Sequence, residues 1–262
     1  MKFNVAPDAR PQLKTLLIAT ILSIGLWFIP YAEYLVYPIR LFVTFIHEGA
    51  HVLAALITNS GVFSMTVSPD TSGAVLAAPQ TTLASLLISS AGYVGASAFG
   101  VLLLVLIRRA VQARIVLAGT AVFITVLTLL FGLALPMWNV VRAETSVFSV
   151  AFTVVSGLLI SGGLLAIARY GSQKFASFFL SFLAVQCILN ALFDLKTVFF
   201  AHTPFASHVH TDAANMVAAT GVPGIFWVMI WIGISLFLVS LGLRFYAVNR
   251  GKNIQQDLPF ED

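Results

Sequence analysis

Long apolar runs separated by short polar stretches constrain this fold more than any other feature of the sequence. Seven runs can be counted, and most exceed twenty residues. A helix needs about 20 apolar residues to cross a bilayer, and a chain segment inside lipid must satisfy its own backbone groups. Hydrophobic residues make up 59% of the chain and charged residues 9%. The sequence therefore predicts an all-α polytopic membrane protein with about seven transmembrane helices.

The basic residues lie mainly at the ends of these runs. They give a net charge of +4, which suits contact with lipid headgroups and gives no reason to expect a nucleic-acid partner. The first run follows Gln12 and ends at Pro30. The others are 35–58, 81–107, 115–135, 147–168, 175–200 and 226–248. We expect residues 1–250 to form one membrane domain, followed by a polar tail at 251–262.

A short polar motif, His47-Glu48-Gly49-Ala50-His51, interrupts the second run. Residues four apart lie on one face of a helix, so both imidazoles can bind one ion. Two neutral imidazoles can hold Zn²⁺ while an adjacent carboxylate takes a proton from the water that the metal activates. Each ionisable side chain at membrane depth costs about 2.5–3.5 kcal/mol, and zinc binding would offset that cost. The alternative is a set of polar residues that satisfy one another in a helix bundle.

Two β-prone pieces, 62–67 and 74–76, follow the motif helix and flank the turn-rich stretch 68–73. This pattern predicts a short β-hairpin. Its edge could bind an extended substrate by strand addition. A plain connecting loop is the alternative.

A third metal ligand has two possible sources. Asp194 is the only carboxylate after Glu48 that lies within a predicted span, and catalytic zinc usually takes three protein ligands. Asp194 is therefore the natural third ligand, although it could instead pair with Lys196 or with Asn190, four residues before it. The other source is a polar stretch that holds His202, His208, His210 and Asp212, where Thr211 or Asp212 could cap a short helix ending at Gly221.

With HEGAH in one span and LNALFDL in a later one, the sequence resembles the site-2 protease family of intramembrane zinc metallopeptidases, in its short bacterial form without a PDZ domain. The resemblance implies that His47, His51 and Asp194 bind zinc and that Glu48 is the catalytic base. It also implies a substrate-orienting role for Asn190, a membrane-protein substrate, and a place in the bacterial cytoplasmic membrane. The sequence departs from the family pattern where Leu195, rather than glycine, follows the aspartate, and no proline lies in that span.

These observations favour an intramembrane zinc metalloendopeptidase in which Glu48 activates a zinc-bound water. Two alternatives stay open. Zinc and other divalent-metal transporters also carry a His-Glu-x-x-His stretch within a span, but here Val52 follows His51 and no other predicted span contains a histidine. The second alternative is a catalytically silent membrane interaction protein that kept the zinc site.

Overall fold

The computed structural model describes residues 10–138, 145–201 and 211–247. In these ranges the protein is mostly helical and has one small antiparallel sheet. The helices are α1 (Arg10–Gly25), α2 (Ala32–Ile57), α3 (Thr82–Arg108), α4 (Ala113–Val126), α5 (Leu135–Trp138), α6 (Val147–Tyr170), α7 (Gln173–Ala201), α8 (Asp212–Thr220) and α9 (Gly224–Ala247). The strands are β1 (Gly61–Val67) and β2 (Gly73–Ala78).

Six helical segments of the described chain are long and apolar enough to cross a membrane. They coincide with the second to seventh predicted runs, so the prediction of a multi-pass helical membrane protein is confirmed to that extent. The segments are Ala32–Ile57, Thr82–Arg108, Ala113–Trp138, Val147–Tyr170, Gln173–Phe200 and Gly224–Phe245. One of them, Ala113–Trp138, joins α4 to α5 through a π-helical stretch, Leu127–Ala134.

The first apolar run does not form a seventh helix of that length among the described residues. α1 ends at Gly25, a 3₁₀ turn follows at Leu26–Phe28, and Tyr31 has a left-handed backbone with φ of 64°. At about 1.5 Å per residue, sixteen helical residues span less than the roughly 30 Å of a bilayer core. The helix therefore ends before Pro30, and the apolar residues of this run are divided between α1 and the 3₁₀ turn.

α3 lies at the centre of the bundle and packs against α2, α7 and α9. The main core contains large side chains such as Phe42, Phe45 and Leu103, all at most 2% exposed. Small residues, among them Ala96 and Ala184, allow the helices to approach closely. Cys187, the only cysteine of the chain, is buried in this core.

The predicted β-hairpin is present. β1 and β2 pair antiparallel from Gly61↔Ala78 to Val67↔Gly73, with an irregularity between Val62 and Ser64. In the turn, the Asp70 carboxylate accepts hydrogen bonds from the Ser72 N–H at 3.0 Å and the Ser72 hydroxyl at 2.6 Å.

Side chains of α2 tie the hairpin turn to the motif helix. The Tyr37 hydroxyl donates to the Pro69 carbonyl at 2.7 Å, and the Thr44 hydroxyl donates to the Thr71 carbonyl at 2.7 Å. On the far side, the Val67 N–H donates to the Thr153 hydroxyl of α6 at 2.8 Å. β1 therefore lies between β2 and the body of the bundle, and the outer edge of β2 has no strand partner in the described part of the chain.

Candidate metal centre

Three ionisable residues of α2 meet in the interior of the protein. His47 and His51 are one helical turn apart, and their ring centroids are 4.8 Å from each other. Glu48 is 4% exposed and His51 is 5% exposed. All three side chains line one cavity, so the helical spacing in the motif does bring them to a common site.

A fourth ionisable residue of this site, Asp212, comes from α8. The Thr211 hydroxyl caps this helix by accepting a hydrogen bond from the Ala214 N–H at 3.2 Å, and α8 packs against α3 and α9. This places Asp212 Oδ2 at 3.3 Å from the Nε2 of His47 and at 3.3 Å from the Nε2 of His51. The predicted short helix with a Thr211 cap and an end at Gly221 is thus confirmed.

The Asp212 carboxylate is strongly coupled to the two histidines. Burial by itself would raise its pKa, but the charges of His51 and His47 and their hydrogen bonds outweigh burial and hold the pKa below its usual range. The carboxylate is therefore ionised at neutral pH, which is the form that a metal ion requires.

The donor atoms of His47, His51 and Asp212 all lie within 4.8 Å of one another. Two imidazole nitrogens and a carboxylate oxygen are a ligand set typical of catalytic zinc. The other ring nitrogen of His51 donates to the Ile88 carbonyl at 2.6 Å, and such a bond directs Nε2 toward the metal position.

Gly92 of α3 keeps the space between the two imidazoles open. A Cβ at this position would overlap the Nε2 atoms of both His47 and His51. Any side chain here would occupy the place where the two nitrogens and the Asp212 oxygen converge. The donor set and the room between its members therefore fit one divalent metal ion.

Glu48 lies against the start of β2 and outside the group of three possible metal ligands. A Cβ at Gly73 would overlap the Glu48 carboxylate, so the hairpin backbone approaches this side chain as closely as glycine allows. This contact holds the carboxylate between the two histidines and the edge of the hairpin.

A cavity of about 1010 Å³ surrounds the centre. Its walls come from α2, both strands, α3, the start of α6, the end of α7, and α8. Ligand pockets usually measure about 300–1,000 Å³, so this cavity has room for a segment of polypeptide. The edge of β2 forms part of its wall through residues 73–76.

The family model described as Peptidase M50B-like matches residues 17–242. The chain belongs to this family. The match confirms the resemblance to the site-2 protease family and places the chain among membrane metallopeptidases. Comparisons with curated proteins and with solved structures give no significant match.

In this M50B-like chain the structure brings together three of the site residues expected from sequence, His47, Glu48 and His51. It does not bring Asp194 into the group. Among the described residues the group of three possible metal ligands consists of His47, His51 and Asp212. Asp194 lies on α7 and lines the same cavity, so it is near the centre without reaching the two imidazole nitrogens.

Asn190 does not face the cavity in the described structure. Its amide donates to the Gln186 carbonyl at 2.9 Å and to the Gln186 side-chain oxygen at 2.9 Å. Gln186 in turn donates to the Ser23 hydroxyl of α1 at 3.2 Å. These contacts give Asn190 a place in a buried polar chain between α1 and α7, and its substrate-binding role stays a prediction.

His202, His208 and His210 lie outside the described residues, so their relation to the metal centre stays open. Asp212, the acidic member of the same sequence cluster, is the residue that meets the two histidines. The sequence signal near it was the threonine cap, which predicts where α8 begins but not which way α8 packs.

Two further residues of the M50B-like site were missed at the sequence level. The Tyr93 ring stands edge-on to His47 with 4.7 Å between centroids, and it packs on Trp231. Asn215, one turn after Asp212, lines the cavity. The sequence predicts only helix packing for the stretch that contains Tyr93, because an aromatic residue in an apolar helix is usually a packing residue.

Proposed function

We propose that this protein is an intramembrane zinc metalloendopeptidase that hydrolyses peptide bonds of membrane-embedded protein substrates. The observation that carries the proposal is the meeting of His47, His51 and Asp212 beside a buried glutamate that is not one of the three. A bound zinc ion supplies Lewis acidity, which activates water and polarises a peptide carbonyl. The ligands in this proposal are His47, His51 and Asp212.

Glu48 is the general base of the proposed reaction. Its carboxylate takes a proton from the attacking water and later delivers a proton to the leaving amine. The contact with Gly73 supports this role, because it limits where the carboxylate can move.

The edge of β2 is the proposed binding element for substrate. A peptide bond must be unwound from a helix before it can be hydrolysed, and an unpaired strand edge can hold the unwound segment by backbone hydrogen bonds. β2 suits this role because its edge lines the cavity next to Glu48, whereas β1 is packed against α6.

We further propose that α1 acts as a seventh membrane helix and that the protein lies in the bacterial cytoplasmic membrane. Support for the role of α1 comes from its packing against α7 and from Ser23, which is fully buried and accepts a hydrogen bond from Gln186. A helix held in this way can share the bilayer with its neighbour even though its apolar part is short.

Cleavage in proteoliposomes tests the proposed activity. Wild-type protein and Glu48→Gln are reconstituted with a panel of single-span membrane proteins, and products are identified by mass spectrometry. We expect the wild type to produce defined fragments, a chelator to stop the reaction, and added zinc to restore it. Glu48→Gln should lose turnover by a factor of at least about 10² and keep its zinc, because Glu48 is outside the ligand group.

Wild-type turnover by Glu48→Gln would show that the hydrolytic mechanism is wrong. A divalent-metal transporter predicts a different pattern, in which zinc crosses the proteoliposome membrane and no substrate is cleaved. The same vesicles can be assayed for zinc uptake, so one preparation separates the two activities.

A further inference from the structure

We infer that Asp194 binds a cationic side chain of the substrate next to the scissile bond, so that the enzyme selects substrates with lysine or arginine at one position. The inference rests on the proposed peptidase function and adds a specificity-determining residue to it. Its starting point is a carboxylate on the cavity wall that the metal centre does not use.

The side chains around Asp194 leave its carboxylate available. Lys196, the nearest cation along the chain, places its ammonium over the Phe193 ring at 5.9 Å from the centroid. Asn190, one turn earlier, donates its amide to Gln186. Among the described residues, no hydrogen bond or ion pair holds the Asp194 carboxylate. His47 and Arg40 of α2 act on it electrostatically without an ion pair, and Arg40 is not part of the cavity wall.

The charges on the cavity wall are unbalanced. Its described residues include four carboxylates, Glu48, Asp70, Asp194 and Asp212, and neither lysine nor arginine. A divalent metal at the centre would offset two of these charges, those of Glu48 and Asp212. Asp70 is bound by the hydroxyl and N–H of Ser72 in the hairpin turn. Asp194 is left as the carboxylate of this wall that the metal would not offset and that no described residue binds by a hydrogen bond or an ion pair.

An unpaired carboxylate near the apolar interior of a membrane protein costs free energy, and a cation in contact with it lowers that cost. A substrate that enters the cavity can supply the cation. Asp194, Thr197 and Val198 of α7 line the same cavity. The Asp194 carboxylate can therefore contact a substrate that enters this cavity. A substrate segment paired with β2 lies in that cavity too, so one of its side chains can reach α7.

A charge-exchange experiment tests the inference. The probe is a single-span model peptide in proteoliposomes, with lysine, alanine or glutamate placed in turn at each position around the cleavage site. Cleavage of each peptide is measured with wild type, Asp194→Asn and Asp194→Lys. At one position we expect the wild type to prefer lysine over glutamate by about tenfold in kcat/KM. Asp194→Asn should remove this preference, and Asp194→Lys should reverse it.

Asp70→Asn is the matched control, since it removes another carboxylate of the same wall. Because Ser72 already binds Asp70, the lysine preference should survive in this variant. Zinc content is measured for every variant. A loss of zinc in Asp194→Asn, or an equal loss of turnover on all the peptides, would overturn the inference and give Asp194 a role in the metal centre or in folding.

Binding to a Glu48→Gln background separates this inference from the proposed function. The same lysine, alanine and glutamate peptides are photo-crosslinked to Glu48→Gln and to Glu48→Gln with Asp194→Asn. Preferential capture of the lysine peptide, if it requires Asp194, supports the subsite whether or not the wild type cleaves the peptide. Absence of cleavage by the wild type would refute only the peptidase proposal. Equal capture of all three peptides would refute the subsite.

Discussion

Asp212 Oδ2 lies 3.3 Å from His47 Nε2, although the two residues are 165 positions apart in the chain. The contact joins a long membrane helix to a short helix that lies between two spans. It forms because the Thr211 cap and the packing of α8 on α3 and α9 turn the start of α8 toward the motif. A metal site built in this way depends on tertiary packing as much as on the motif itself.

Alanine at Gly92 and alanine at Gly73 should have different effects, because the two glycines contact different side chains of the motif. Gly92→Ala places a methyl group among the imidazole nitrogens, so we expect loss of zinc together with activity. Gly73→Ala displaces the Glu48 carboxylate, so turnover should fall at least tenfold while zinc stays bound. Metal analysis and turnover are measured on the same preparations.

Gly119→Ala is the control for both glycine variants, because a Cβ there meets no atom within 4 Å and should change neither quantity. Retention of full zinc by Gly92→Ala would contradict the placement of the metal between the two imidazoles.

Proline on β2 should lower turnover through lost substrate contacts. Successive N–H groups of a strand point alternately to the partner strand and to the free edge, so Ala74→Pro and Val75→Pro each remove one kind of donor. The variant that loses the cavity-facing donor should keep its zinc and its thermal stability but show a higher KM. If neither variant changes KM or turnover, the hairpin is only a connector between α2 and α3.

Thr153→Val should destabilise the hairpin side of the bundle. Thr153 and Val67 are both fully buried, and the isosteric change leaves the Val67 N–H without its acceptor. An unsatisfied buried donor costs about 1–3 kcal/mol, which denaturant unfolding in detergent can measure. Thr153→Ser keeps the hydroxyl and should lose less stability. An equal or larger loss in Thr153→Ser would mean that the Thr153 methyl group matters at least as much as the hydrogen bond.

The parts of the fold that depend on local patterns could be predicted from sequence. Apolar runs gave the six long helices, the turn residues around Asp70 gave the hairpin, and the spacing of His47 and His51 gave one face of the site. Each of these features is decided within a few residues by helical or strand periodicity. The first run is the exception, since its length did not reveal the break between Gly25 and Pro30.

The carboxylate that meets the two histidines could not be predicted in the same way. The sequence favours Asp194 because it lies within a predicted span, and an inward-folded loop around Asp212 would bury backbone groups that need partners. That cost is avoided here, because residues from Asp212 onward form a helix whose hydrogen bonds are internal. Which carboxylate meets the imidazoles depends on how α7 and α8 pack, and the sequence pattern does not contain that information.

Zinc content of purified Asp212→Ala and Asp194→Ala, measured side by side with the wild type, tests the central claim most directly. The account predicts one zinc per wild-type chain, a loss of most of this zinc in Asp212→Ala, and full zinc in Asp194→Ala. Both variants should be folded by the same unfolding assay before metal is counted. Full zinc in Asp212→Ala together with its loss in Asp194→Ala would contradict the metal centre described here and return the third ligand to α7.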